Sequence, residues 1–215
     1  KYTLFYHEKL LKNENLTTVR DYLKGRSLGK DQVKKFKIGF IEKNPNYYEK
    51  LKDDFSEQTL LDTGLFYLDE KKKVYVERFR GRLIFPINNI SGHTIALGGR
   101  IIEKSDYLAK YINSPETNFF KKGSNLYNLD FARKLSNKLD HIYLVEGYMD
   151  VVGLSKNGIE NAVANLGTSL TEKQILTLNQ FFDDIIICFD GDESGYKAAL
   201  RAAENSIKEL KPEKQ

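Results

Sequence analysis

Two stretches decide how the carboxy-terminal part of this chain folds: Ile142-Tyr143-Leu144-Val145-Glu146-Gly147-Tyr148-Met149-Asp150, and Ile185-Ile186-Ile187-Cys188-Phe189-Asp190-Gly191-Asp192-Glu193. Each is a short apolar run that stops at carboxylates. Such a run reads as a buried strand. Helical patterns separate the strands, over Met149 to Lys156 and over Thr171 to Phe181, the latter opened by a Thr171/Gln174 capping box. Ala162-Val163-Ala164 forms a third strand, and a long helix is expected over Glu193 to Leu210. Strand–helix alternation of this kind builds a parallel sheet with right-handed crossovers.

The carboxyl ends of parallel strands line one crevice. Glu146 and the Asp190/Asp192 pair can therefore meet although they are far apart in sequence. Close carboxylates repel one another unless a cation neutralises them. Mg²⁺ suits such a site, because it is hard, prefers oxygen ligands and bridges to phosphates. Three other readings of the same residues stay open at this point. Asp190 and Asp192 serve equally well as caps of the following helix. Asp190-Gly191-Asp192 also begins like a calcium loop, although Arg201 stands where a bidentate Glu is required. Finally, Asp190, Asp192 and Ser194 match the first motif of haloacid-dehalogenase phosphatases, whose remaining motifs have little chain left to occupy.

Upstream, the first 60 residues read as short helices, among them Thr17 to Lys24, Asp31 to Phe36, Tyr47 to Phe55 and Glu57 to Leu61. The middle changes period. Val74 to Val76, Leu83 to Ile87 and Thr94 to Leu97 read as strands, with Asn88 to Gly92 as the turn between the last two. Charge is divided along the chain. Residues 1–70 carry 13 Lys/Arg against 12 Asp/Glu, residues 71–134 carry 13 against 5, and residues 135–215 carry 8 against 13. A basic middle fits a polyanion and an acidic end fits metal ions. The single cysteine, Cys188, is expected to be buried, and it leaves no internal disulfide and no multi-cysteine zinc site. No apolar run approaches the roughly 18 residues of a membrane span, and the cytoplasm is the expected compartment.

Glu146-Gly147-Tyr148-Met149-Asp150-Val151-Val152 followed by Asp190-Gly191-Asp192 resembles the Toprim signature of primases, topoisomerases, nucleases and recombination proteins. Further segments narrow this. Arg78-Phe79-Arg80-Gly81-Arg82-Leu83-Ile84-Phe85-Pro86-Ile87, Gly98-Gly99-Arg100, Lys110 to Thr117, Phe120-Lys121-Lys122-Gly123 and Ala164 to Ser169 resemble, in order, the RNA-polymerase domain of DnaG-type bacterial primases. The fold expected is α/β: a basic N-terminal α+β subdomain over residues 1–137, then a Toprim-type parallel-sheet subdomain over 138–215, truncated at its C-terminus.

The resemblance implies DNA-templated synthesis of short RNA primers by metal-dependent nucleotidyl transfer. Glu146, Asp190 and Asp192 would be the catalytic metal-holding residues, with Asp150 in support. Arg26, Arg100, Lys110 and Lys122 match basic positions that contact template or nucleotide, and Arg78, Arg80 and Arg82 are expected to border the same groove. The implied cofactor is Mg²⁺, with Mn²⁺ as a substitute. The implied partners are single-stranded DNA, ribonucleoside triphosphates, the RNA primer, and the replicative helicase through a domain outside this chain. A zinc module upstream and a second acidic pair downstream also belong to the family pattern and lie outside this chain, so the expected activity of this stretch alone is weak. Gly98-Gly99 is expected to let backbone approach a ligand, and Asn161 to Thr168 to line the crevice.

Overall fold

The computed structural model describes residues 2–13, 15–103 and 105–207. Two compact units emerge. One runs to Pro86 and adds Thr94–Phe119; the other joins Ile87–His93 to the chain from Phe120 onward.

The first unit opens with three helices, α1 (Tyr2–Lys12), α2 (Thr17–Gly25) and α3 (Lys30–Lys35). Then follow β1 (Gly39–Ile41), α4 (Tyr47–Leu51), α5 (Glu57–Asp62), β2 (Phe66–Asp69) and β3 (Val74–Glu77). Next come β4 (Arg82–Asn88), whose last residues pass into the second unit, β5 (Thr94–Ile101) and β6 (Tyr111–Asn113). The sheet order is β1-β4-β5-β6, with β2 and β3 as a separate antiparallel ribbon. Tyr6, Tyr47, Tyr48, Phe66, Phe79, Ile84 and Leu97 form the core.

The amino-terminal stretch is not all helical, as the sequence pattern had implied. Gly39–Ile41 pairs antiparallel with β4, Gly39 opposite Ile84 and Ile41 opposite Arg82. Gly39 is required there, because a Cβ would lie 2.8 Å from the Tyr6 backbone carbon and 2.9 Å from the His7 nitrogen. The helix expected to reach Phe55 stops at Leu51. Its start is held by the buried Glu77, whose Oε1 accepts from Tyr47 N at 2.7 Å and Tyr48 N at 3.4 Å.

The second unit contains α6 (Leu129–Ala132), β7 (His141–Val145), α7 (Tyr148–Lys156), β8 (Ala162–Ala164), α8 (Glu172–Leu178), β9 (Asp184–Cys188) and α9 (Glu193–Ile207). The sheet order is β8-β7-β9, all parallel. This is the alternation and strand direction that the apolar runs predicted. Residues 208–210 of the long expected helix lie outside the described residues. α8 is capped as expected, Gln174 N donating to Thr171 Oγ1 at 3.2 Å and Thr171 N to Gln174 Oε1 at 3.0 Å. Its core gathers Ile142, Leu144, Val163, Leu170, Ile175, Leu178, Phe182 and Ala202.

One expectation fails here. Cys188 is exposed, not buried. The reason is topological: β9 stands at the edge of the described sheet, and Ile186 on the same strand is also 38% exposed. A continuous apolar run signals a strand but does not tell whether both of its faces are covered.

Candidate active site

The parallel register brings the acidic strand ends together. Val145 pairs with Cys188 and with Ala164, so Glu146, Phe189 and Asn165 leave the sheet side by side. Glu146 Oε1 then accepts a hydrogen bond from Asp190 N at 3.0 Å, tying the two motifs across 44 residues of sequence. Gly195 stands against both. A Cβ at that position would lie 2.1 Å from the Asp190 carbonyl oxygen and 2.8 Å from Glu146 Oε1. Only glycine lets the first turn of α9 approach so closely.

Each remaining acid has a definite partner. Asp192 Oδ1 accepts from Gly195 N at 2.8 Å, so Asp192 is the N-cap of α9. The capping interpretation thus holds for Asp192, while Asp190 gives its backbone N–H to Glu146. Asp150 Oδ2 accepts from Gly147 N at 2.9 Å and so orders the turn after β7. The Asp150 carboxyl is pushed above the ordinary range, first by lost hydration and then by the negative charges of Asp190 and Glu146. Asp190 and Glu146 thus lie close enough for their charges to bear on Asp150. Among the described residues, however, no three His, Cys, Asp or Glu side chains already stand in an arrangement that would grip a metal ion. The donor set is hard and anionic and fits a cation such as Mg²⁺ in its chemistry, while its side chains are not drawn together. Asn165, buried at the end of β8, presents an Oδ1 with no hydrogen-bond partner among the described residues. Asn161, by contrast, is structural: its Nδ2 donates to the His141 carbonyl at 2.9 Å.

The basic candidates fall into groups. In the first unit Arg26, Arg100 and Lys110 line one pocket of about 410 Å³ together with Tyr22, Glu103, Ser105, Asp106 and Leu108. Arg100 is only 4% exposed. Its guanidinium carbon lies 4.7 Å from the Tyr22 ring centre and 5.3 Å from that of Tyr111, and its Nε donates to Tyr111 Oη at 2.7 Å. Arg100 Nη1 and the Tyr22 hydroxyl are both buried without a hydrogen-bond partner among the described residues. Orphaned buried donors of this kind call for a ligand or water. The guanidinium carbon of Arg26, one turn after Tyr22, lies 5.9 Å from the centre of the same ring.

Arg82 is also buried, and its Nη1 donates to the Lys110 carbonyl at 3.3 Å, just before β6 begins. Burial, and then the charge of Arg80, lowers its pKa from the ordinary value. Arg78 and Arg80 form a different group around Tyr67: Arg78 lies 5.3 Å from the ring and donates through Nε to the Gly64 carbonyl at 2.9 Å, and Arg80 Nη1 donates to Tyr67 Oη at 3.2 Å. Lys122 belongs to the second unit, in a short 3₁₀ turn whose carbonyl accepts from Gln174 Nε2 at 3.1 Å.

The expectation for Gly98-Gly99 is corrected at Gly99. The space beside Gly99 is filled by protein: a Cβ would lie 2.6 Å from the Phe79 ring and 3.1 Å from Arg82 Cδ. The glycine admits a ring and an arginine stem. What sequence reasoning missed is the role of Tyr22 and Tyr111. The signal available was the four-residue spacing between Tyr22 on α2 and Arg26 at its C-cap.

Comparison with known proteins agrees with this fold. The family model "DNA primase catalytic core, N-terminal domain" matches residues 5–133, and that of the Toprim domain matches residues 140–214. The chain is 40% identical to the DNA primase of Pseudomonas putida over 210 residues, covering 96% of this chain and 31% of that protein. It is 34% identical to that of Enterococcus faecalis, covering 92% of this chain and 32% of that protein. Among solved structures it resembles the E. coli primase catalytic core with a TM-score of 0.90 at 36% identity, covering 100% of this chain and 68% of that one. A DnaG primase catalytic domain bound to single-stranded DNA gives 0.88 at 36% identity, covering 100% and 66%. The chain thus spans about a third of the length of the curated relatives it matches.

Proposed function

The chain belongs to the DNA primase catalytic core family, and on that premise we propose that it carries the part of a primase that joins ribonucleotides on a single-stranded DNA template. The observation that supports this reading best is the Glu146–Asp190 link at the carboxyl end of the parallel sheet, with Asp150 repelled by both acids. Acids packed without a cation are an arrangement that divalent metal stabilises.

The proposed division of labour puts template and nucleotide contacts in residues 1–137 and metal chemistry in residues 138–215. Glu146, Asp190 and Asp192 hold the metal, Mg²⁺ or in its place Mn²⁺, with Asp150 supporting the turn. When bound, such a cation neutralises charge on the phosphate oxygens and favours ionisation of the attacking primer hydroxyl. Asp192, fixed by Gly195 N through one oxygen, keeps its other oxygen available. Arg100, held between two tyrosines, offers a buried and already desolvated donor to the triphosphate, and Arg26 and Lys110 add charge to the same pocket. Arg78, Arg80, Arg82 and Lys122 are assigned to the phosphate backbone of the template or to the support of residues that meet it. The partners are single-stranded DNA, ribonucleoside triphosphates, the growing RNA and, through a further domain, the replicative helicase. The working compartment is the cytoplasm. Among the described residues no helix is long and apolar enough to cross a membrane.

The test is ribonucleotide incorporation on single-stranded DNA with Mg²⁺ or Mn²⁺, run beside Mn²⁺ binding by the same protein. Template-dependent RNA that disappears in Asp190→Asn, together with loss of Mn²⁺ binding, is the expected result. Metal binding that survives Asp190→Asn and Glu146→Gln unchanged would remove the proposed site.

A further inference from the structure

α1, α2 and α3 enclose a second groove, of about 300 Å³, that none of the catalytic residues touches. Its apolar lining is aliphatic throughout: Leu10 and Leu11 from α1, Leu23 from α2, and Leu28 and Val33 from the turn before α3 and from α3 itself. Its only charged lining residues are Arg20, Lys24 and Lys30. No acid lines it. Arg20 spends one nitrogen on the Asn13 carbonyl at 3.1 Å, and Lys24 and Lys30 are exposed. The acids on these helices lie elsewhere, and Glu8 is already paired with Lys12 at 2.8 Å. The surrounding sequence is basic as well: residues 1–40 hold 10 Lys/Arg against 4 Asp/Glu.

We infer that this groove docks an acidic peptide segment of a partner protein, one that inserts aliphatic side chains between the helices and sets carboxylates against Arg20, Lys24 and Lys30. Charge complementarity selects the acid, and the lining selects the rest. A helix-in-groove or short-peptide mode uses aliphatic anchors a turn apart on an apolar floor. Single-stranded nucleic acid instead needs aromatic platforms for its bases, and this groove has none, whereas the catalytic-side pocket has Tyr22. A rim of three like charges with no acid among the described lining residues also disfavours basic segments. The inference does not depend on the catalytic reading, because the two pockets share no residue.

The test uses a fluorescein-labelled twelve-residue synthetic peptide of aspartates and glutamates with leucines three and four positions apart, titrated with the whole chain and read by anisotropy. Saturable binding is expected. The Lys24→Glu/Lys30→Glu double variant should weaken it about tenfold, as reversal of two rim charges implies, while Mn²⁺ binding stays as in the parent. A peptide with serines for leucines should not bind. Absence of saturable binding, or binding indifferent to either change, overturns the proposal. So does displacement of the peptide by a single-stranded oligonucleotide from the parent but not from the double variant, which would assign the groove to nucleic acid.

Discussion

The two units set their charged side chains in opposite ways. In the first, the key cation is buried before any ligand arrives: Arg100 is 4% exposed, flanked by Tyr22 and Tyr111 and left with one unpartnered nitrogen. In the second, Glu146, Asp190 and Asp192 sit exposed just beyond strand ends, with Glu146 and Asp192 each accepting from one backbone N–H. A buried cation has lost its water in advance, so an incoming anion meets a strong and oriented donor. Exposed acids remain hydrated and mutually repelling until a cation collects them. The difference predicts that the first site resists change through its packing and the second through its charges.

The largest effect should come from removing charge in the second unit while keeping shape. Glu146→Gln should lower template-directed incorporation on the order of 10²-fold or more and leave the melting temperature within a degree or two of the parent. The Gln side-chain oxygen still accepts from Asp190 N, so a large loss of stability would mean that the acid is structural and the contrast between the units is misdrawn. Calorimetry beside the incorporation assay separates the two.

Two glycines sharpen the comparison at the level of the backbone. Gly195→Ala drives a methyl against the Asp190 carbonyl, and Gly39→Ala drives one against Tyr6. Each should cost roughly 1–3 kcal/mol, the usual range for overpacking. Their functional consequences should diverge: Gly195→Ala should also abolish metal binding, since the atoms displaced belong to Asp190 and Glu146, whereas Gly39→Ala should leave metal affinity intact. Equal metal affinity in both variants would break the assignment of α9's first turn to the site.

In the first unit the ring beneath Arg100 is the feature to change. Tyr22→Leu removes cation–π contacts worth about 0.5–2 kcal/mol, so KM for ribonucleoside triphosphate should rise about threefold to tenfold with kcat little altered. Tyr22→Phe keeps the ring and should restore most of the affinity. If Phe behaves like Leu, the unpartnered hydroxyl carries the effect and the ring does not.

How much of this was legible beforehand follows from the range of the interactions. The parallel sheet was readable because Ile142 to Val145 and Ile185 to Phe189 are long apolar runs separated by helical periods. The acid convergence followed from strand direction alone. The three-residue strands Gly39–Ile41 and Tyr111–Asn113 carry too few residues to show a period, and they exist through tertiary pairing with β4 and β5. Cys188 was misplaced because burial at a sheet edge depends on what lies beside the strand. The Tyr22–Arg100 stack joins residues far apart in sequence, so only the fold reveals it. Averaging charge over residues 1–70 likewise concealed the basic first 40, since residues 41–70 are acidic.

The smallest effect concerns a half-buried ion pair of the first unit, whereas the Lys197–Glu193 pair of the second unit is exposed. Lys9 bonds Glu42 and donates to Tyr47 Oη at 2.8 Å, and Tyr47 Oη donates to Glu42 Oε2 at 3.1 Å. Burial alone would raise the Glu42 carboxyl, but the hydrogen bonds from Lys9 and the backbone outweigh it and hold the group below its ordinary value. Lys9 moves the other way: burial opposes its charge, and the bonds to Glu42 and Tyr47 raise it above its ordinary value. A lowered acid stabilises the fold above its unfolded pKa, about 4.3 for Glu, and that stability disappears as pH falls through the lower folded value. A raised lysine stabilises below its unfolded pKa, about 10.4, and its share disappears as pH climbs through the higher folded value. The pair therefore contributes across the whole neutral range and fades at both extremes. With both side chains about a third exposed, the contribution is roughly 0.2–1 kcal/mol. Glu42→Gln should lower the melting temperature by a degree or two at pH 7 and by less at pH 3, so that the two proteins converge in acid. A constant gap from pH 7 to pH 3 would mean that the side chain stabilises the first unit by packing and not by charge, which would leave its buried cations as the only electrostatic feature that sets it apart.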